Sequence, residues 1–202
     1  LEKLKSNYAG WDRERYDENM GLYWQNNDRD GMENSVGGAV DVRGYRPTIN
    51  AYQYADAMAI AELCRLVGDE EGAAEYTEKA ETLKATMDEK LWDSTDHFYK
   101  LIPYGRTERA DVREEIGYVP WMFNMPEDTE EHGMAWEALM DENGFFSEYG
   151  PRTTEKEYAR IPTPEGEFGT GICRWDGPSW PFATTQTLVG MANLLNNYTQ
   201  QK

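Results

Sequence analysis

The chain has 202 residues, with 20 Lys+Arg against 38 Asp+Glu and a formal net charge of −18. That length can bury a real core in one domain, and 39% hydrophobic residues is too many for a disordered chain. The charge argues against a nucleic-acid backbone binder, which needs clustered Lys and Arg, and disfavours adhesion to an anionic membrane. No apolar run reaches the roughly 20 residues of a spanning helix. No signal-type segment opens the sequence, as a processed start would also look, so secretion stays open.

Leu1 to about Tyr16 reads as a helix with Leu4, Tyr8 and Trp11 on one side. From Asn50 to Val67 the apolar positions Tyr52, Ala55, Ala59, Leu63 and Leu66 recur at helical spacing, with Ile60, Cys64 and Val67 widening the face. Gly68-Asp69 breaks the pattern: the glycine suits a helix end, and Asp69 can cap the next helix ahead of Glu70 and Glu71. That helix carries Ala73, Tyr76, Ala80, Leu83, Met87 and Leu91. So short a turn makes the two helices an antiparallel hairpin. Asp93 to Asp96 predicts a turn, and His97 to Ile102 a short extended piece ended by Pro103. Arg113 to Asn124 and Glu130 to Met140 are expected as helices, and Tyr149 to Gly171 as loop. A last helix is expected from about Pro181 to Tyr198, with Leu188, Met191, Ala192 and Leu195 apolar. Proline fits its first turn, where an N–H has no partner anyway. No linker divides the chain, so residues 1–202 read as one all-α domain.

Cys64 and Cys173 form no CxxC pair, and His97 and His132 stand alone. A His/Cys zinc site lacks ligands, and neither GxxxxGK[ST] nor GxGxxG occurs, so no metal or cofactor is expected. Aromatics are abundant, with 7 Trp, 13 Tyr and 6 Phe. Several sit beside Gly, Pro, Asn or Asp: Tyr23 and Trp24, Trp121, Phe145 and Phe146, Trp175 and Trp180. Rings flanked by carboxylates and amides suit a carbohydrate, whose C–H face stacks while its hydroxyls are hydrogen-bonded. The plain alternative is that such rings fill gaps between helices.

Two loops concentrate chemistry. In the first, Trp24 to Gly38, three carboxylates (Asp28, Asp30 and Glu33) surround Arg29. Packed carboxylates raise one another's pKa, and a neutral carboxylic acid can protonate a glycosidic oxygen. A solvated acidic turn or a loose Ca²⁺ loop is the alternative; EF-hand spacing is not met. The second is Cys173-Arg174-Trp175-Asp176-Gly177-Pro178-Ser179-Trp180-Pro181, where Gly and Pro hold two Trp rings close together ahead of a helix N-terminus.

Four segments in consistent order resemble the mannosylglycerate hydrolase-like glycoside hydrolases, related to glycoside hydrolase family 63. They are Asp30-Gly31-Met32-Glu33-Asn34-Ser35, Arg46 to Tyr52, Glu115-Ile116-Gly117-Tyr118-Val119-Pro120-Trp121, and Trp175 to Pro181. The resemblance implies an (α/α)6 barrel of six helical hairpins, or roughly half of one at this length. It implies hydrolysis of a glycosidic bond with inversion, two carboxyls acting across roughly 6.5–9.5 Å. Glu33 takes the place of the general acid, where family 63 members often have Asp. Trp24, Asp30 and Asn34 flank it as hydroxyl contacts, and Trp175 and Trp180 match the Trp-x-Gly-Pro-x-Trp segment beside the sugar. In relatives the general base follows that helix in a Glu-bearing segment that has no match here. Glu148 and Asp176 are the fall-back carboxylates, Asp176 also standing as a substrate contact. The expected partners are a carbohydrate substrate and either a second copy or the missing barrel half. The rival readings are a non-catalytic carbohydrate-binding helical domain and a helical-repeat interaction module.

Overall fold

A computed structural model describes residues 1–26, 31–32, 35–37, 43–159 and 174–201. Helix α1 (Glu2–Arg15) runs into a small hairpin of β1 (Tyr16–Asp17) and β2 (Leu22–Tyr23), with Tyr16 opposite Tyr23. Strands β3 (Gln25–Asn26) and β4 (Arg43–Tyr45) pair antiparallel and bracket the first loop. Next come α2 (Pro47–Val67) and α3 (Glu70–Lys90), then the pair β5 (Trp92–Asp93) and β6 (Phe98–Tyr99). Strand β7 (Ile102–Pro103) joins the other edge of β4. A 3₁₀ turn (Glu115–Tyr118) leads into α4 (Val119–Met122), followed by α5 (Glu130–Gly133), a 3₁₀ turn (Met134–Trp136), α6 (Glu137–Met140) and α7 (Pro181–Asn197). Among the described residues no helix is long and apolar enough to cross a membrane.

The α2–α3 hairpin forms as its turn chemistry dictates. Gly68 takes a left-handed conformation at φ 77°, and the Asp69 side chain accepts the Gly72 N–H at 2.9 Å. Lys5 of α1 reaches Asp69 at 2.7 Å and so ties the first helix to this turn. The buried side of α3 is the expected one: Ala73, Tyr76, Ala80, Leu83 and Met87, with Leu91 just beyond.

Two other helices bury a face rotated from the expected one, although α2 keeps Ile60 and Cys64 of the predicted stripe in the core. In α2 the buried residues include Ile49, Asn50, Gln53, Ala57, Ile60 and Cys64, while Leu66 is 73% and Val67 67% exposed. In α7 they are Ala183, Gln186, Thr187, Gly190 and Leu194, while Leu188 and Leu195 are more than half exposed. The reason is the same in both. Many of the inward positions are small, which permits close approach, or polar, and several of the polar ones have a distant partner that replaces water. Gln186 donates to the Tyr52 hydroxyl, and Asn193 of α7 donates to the backbone oxygens of Trp121 and Met122 at 3.0 and 2.9 Å.

The expected helices at 113–124 and 130–140 are each broken into shorter turns. After α4 the chain leaves helix at Asn124 (φ 52°), ahead of Met125-Pro126. Tyr23, Trp121 and Phe145, candidates for sugar contact by composition, are core residues at 3%, 0% and 0% exposure. Trp121 meets Tyr99 and Trp136 edge-on, with centroids 5.6 Å away in both cases. Its indole N–H donates to the Gln201 side chain at 2.8 Å.

Candidate active site

The second loop runs directly into α7 at Pro181, and the first is followed by β4 and then by α2, which starts at Pro47. The base of the first loop is closed by one side chain. Asn50 accepts the Tyr23 N–H at 2.8 Å and donates to the oxygens of Tyr23 and Arg46, each at 2.9 Å. Arg46, 1% exposed, donates to the Ser35 hydroxyl at 3.3 Å. Met32, 2% exposed, packs in a small apolar cluster with Leu101, Ile116, Trp175 and Ala183. Asp28, Asp30, Glu33 and Asn34, the acid and its neighbours, lie outside the described residues, as does Cys173.

The second loop is tightly braced. Arg174 forms a two-pronged ion pair with buried Asp176, its Nε donating to Oδ1 at 2.9 Å. Trp175 and Trp180 stack with centroids 5.3 Å apart and planes 16° from parallel, and Phe182 meets Trp175 edge-on. Trp175 is buried and Trp180 only partly so, which leaves Trp180 the more accessible ring. The Gly177 N–H donates to Thr153 Oγ1 at 3.0 Å, and that hydroxyl donates to the Pro178 oxygen at 3.1 Å.

Between the loops lies a turn that sequence reasoning did not place in the site, Glu114-Glu115. Its backbone is held by residues 153–155: Glu115 N–H donates to the Thr153 oxygen at 2.9 Å, and Arg113 pairs with Glu155. Glu115 is 2% exposed; Oε1 accepts the Thr187 hydroxyl of α7 at 2.9 Å, and Oε2 has no hydrogen-bond partner among the described residues. Burial pushes its carboxyl up to about 8, opposed by the Thr187 bond, so it is mostly uncharged at neutral pH. Glu114 and Glu115 line a narrow gap, too tight to admit water, together with Met32, Ser35 and Trp175. The available signal was two adjacent acids opening the apolar run Ile116 to Trp121, where a carboxylate has no business unless it is buried.

The structure therefore brings Trp175, Asp176 and Trp180 together with the residues on both sides of Glu33 and Asn34. Trp24 belongs to another group: the Arg15 guanidinium lies 4.2 Å from its ring centroid and Tyr104 packs 5.1 Å away. Its ring is thus engaged by protein on the side of α1 and β7. Glu148 is exposed, on a turn linked to the second loop by the Ser179 hydroxyl, which donates to the Gly150 oxygen at 3.1 Å. A larger hollow of about 500 Å³, lined by Tyr8, Asp12, Tyr16 and Lys79, shares no lining residue with these loops.

The family model for the mannosylglycerate hydrolase MGH1-like glycoside hydrolase domain matches residues 1–202. Among solved structures the chain is similar to a sialidase, at 42% identity and a TM-score of 0.88, over 98% of this chain and 18% of that one. It is similar to the glycoside hydrolase family 63 mannosylglycerate hydrolase of Thermus thermophilus in complex with glucose: 14% identity, TM-score 0.73, 92% of this chain and 53% of that one. The neutral trehalase of Saccharomyces cerevisiae follows at 14% identity and a TM-score of 0.57, over 74% of this chain and 28% of that one. No curated protein matches. The chain spans under a fifth of the sialidase and about half of the mannosylglycerate hydrolase. The two distant likenesses carry the fold: this is the six-hairpin glycosidase architecture, in an extent that fits half an (α/α)6 barrel.

Proposed function

We propose, from the premise that the chain belongs to the mannosylglycerate hydrolase MGH1-like glycoside hydrolase family, that it hydrolyses a glycosidic bond with inversion, Glu33 acting as general acid. The observation that carries this reading is the shared packing of Met32 and Trp175, which sets the chain beside Glu33 against the Trp-x-Gly-Pro-x-Trp loop. Trp180 offers a ring face to a sugar, and Asp30 and Asn34 adjoin the acid in sequence as hydroxyl contacts. Asp176, paired with Arg174, acts on the substrate through the loop conformation it fixes.

Inversion needs a second carboxylate to activate water. Within this chain Glu148 is the residue assigned, on a turn tied to the Trp180 loop. The exposed apolar side of α7 that carries Leu188 and Leu195 is the face offered to a second copy or to a further barrel half. The substrate is a glycoside or oligosaccharide, and a hydrolase of this kind uses no cofactor.

The test is Glu33→Gln, compared with wild type on aryl glycosides and disaccharides. Loss of turnover with sugar binding retained supports the assignment; equal turnover refutes it. No turnover in either protein points to an incomplete site, and sugar binding without turnover in a complete protein favours the non-catalytic reading.

A further inference from the structure

We infer that Glu115 is a positioning residue for the proposed reaction: its side chain forms the seat on which the described residues either side of Glu33 rest. The purpose of the seat depends on the reading of Glu33 as the acid, but its geometry does not.

Three observations converge on it. Met32 and Ser35, the residues flanking Glu33-Asn34, line the same narrow gap as Glu114, Glu115 and Trp175. Gly37, two residues further on, lies so close that a Cβ there would stand 2.5 Å from Leu101 Cδ2 and 2.7 Å from Glu114 Oε2. The segment thus meets the 114–116 turn at both ends. Finally, Glu115 is fixed through Oε1 by Thr187, while Oε2 is buried with no partner among the described residues.

A carboxyl in this place suits the seat only while it carries its proton. The gap is too tight for water, and its wall is made partly of Met32 and Trp175, so an ionised oxygen would be unsolvated and, among the described residues, unpaired. Among the described residues, the basic side chains of the neighbouring segments each have another partner. Arg46, at the head of α2, reaches Ser35; Arg174, from the loop before α7, is held by Asp176; Arg113, on the same strand-like approach, is held by Glu155. Glu114 on the turn itself brings a second acid, and α7 presents only the uncharged Thr187. Ionisation of Glu115 therefore favours separation of the segment from its seat.

The test is amide exchange at Met32, Ser35 and Gly37, followed by NMR from pH 6.5 to 9 and corrected for intrinsic base catalysis. Wild type, Glu115→Gln and Glu115→Ala are compared without substrate. Wild-type protection is expected to fall about tenfold between pH 7 and 9, whereas Glu115→Gln holds it flat. Glu115→Ala, lacking the side chain, is expected to lose protection at every pH. A fall in Glu115→Gln equal to that in wild type, or no fall in wild type, overturns the inference. If Glu115→Ala does not fold, the other two proteins decide. Because no turnover is read, failure of the Glu33 assignment leaves this result standing, and failure of the seat leaves that assignment standing.

Discussion

The Thr187 hydroxyl donates to Glu115 Oε1 at 2.9 Å, joining the middle of α7 to the turn that precedes α4, 72 positions earlier in the chain. The bond holds a carboxyl whose proton affinity burial has raised from the ordinary 4.5 to about 8. Between those two values the folded chain keeps a proton that the unfolded chain releases, so this group's contribution falls as pH rises from 4.5 to 8 and then levels off. Glu115→Gln removes that slope. The variant is expected to gain on the order of 2–4 kcal/mol over wild type on going from pH 5 to pH 8, measured by urea unfolding at several pH values. Parallel pH curves for the two proteins would contradict the buried, uncharged carboxyl.

Gly37 supplies a second prediction. A methyl group there must displace the Leu101 side chain or the Glu114 carboxylate, and neither has open space to enter. Gly37→Ala is expected to cost about 1–3 kcal/mol, as over-packing does elsewhere. Thermal unfolding reads the cost, and a variant as stable as wild type would mean that the segment does not pack as described.

The two stacked indoles should separate in a substitution pair. Trp175 is buried in the cluster with Met32 and Ile116, so Trp175→Ala is expected to cost about 3–5 kcal/mol of stability. Trp180 is only partly buried, and Trp180→Ala should weaken disaccharide binding at least about tenfold with a smaller stability loss. Fluorescence titration and denaturant unfolding give the two readouts. Equal effects on both would remove the distinction between support and contact.

The turned face of α2 is tested just as simply. Leu66 is 73% exposed and Ile60 is 3% exposed, although both lie on the apolar stripe read from spacing. Leu66→Gln should change stability by less than about 0.5 kcal/mol, and Ile60→Ala should cost about 2–5 kcal/mol. A large loss at Leu66 would put the helix in a different rotation.

How far the sequence could be read depended on where the partners lie. Helix α3 was legible because its inward positions are all apolar or small and its cap is local: Asp69 holds an N–H three residues on. Helices α2 and α7 were read with a rotated face, Ile60 and Cys64 of α2 apart, because Asn50, Gln186 and Thr187 turn inward, and their partners are 27, 134 and 72 positions away. Spacing alone weighs a buried amide as surface; only its distant partner reverses that. The small strands are two or three residues long, too short for alternation to register. In the site, the Gly-Pro-Trp loop was legible from its own backbone constraints, and the family resemblance supplied Glu33. Glu115 stood inside a quoted motif without a role, because its meaning comes from Thr187 and from burial.

Asn50 has a consequence for how such a chain diversifies. One amide grips the backbone just before the first loop, at Tyr23, and just after it, at Arg46. The excursion between them is thereby a cassette with a fixed socket. Outside Met32, Ser35 and Gly37, which pack against the 114–116 turn and its neighbours, its content can be exchanged between homologues without rewriting the helices that carry it. Substrate preference and scaffold stability are then free to evolve on separate accounts, and loop grafting between relatives becomes a practical route to new specificities so long as the asparagine is kept.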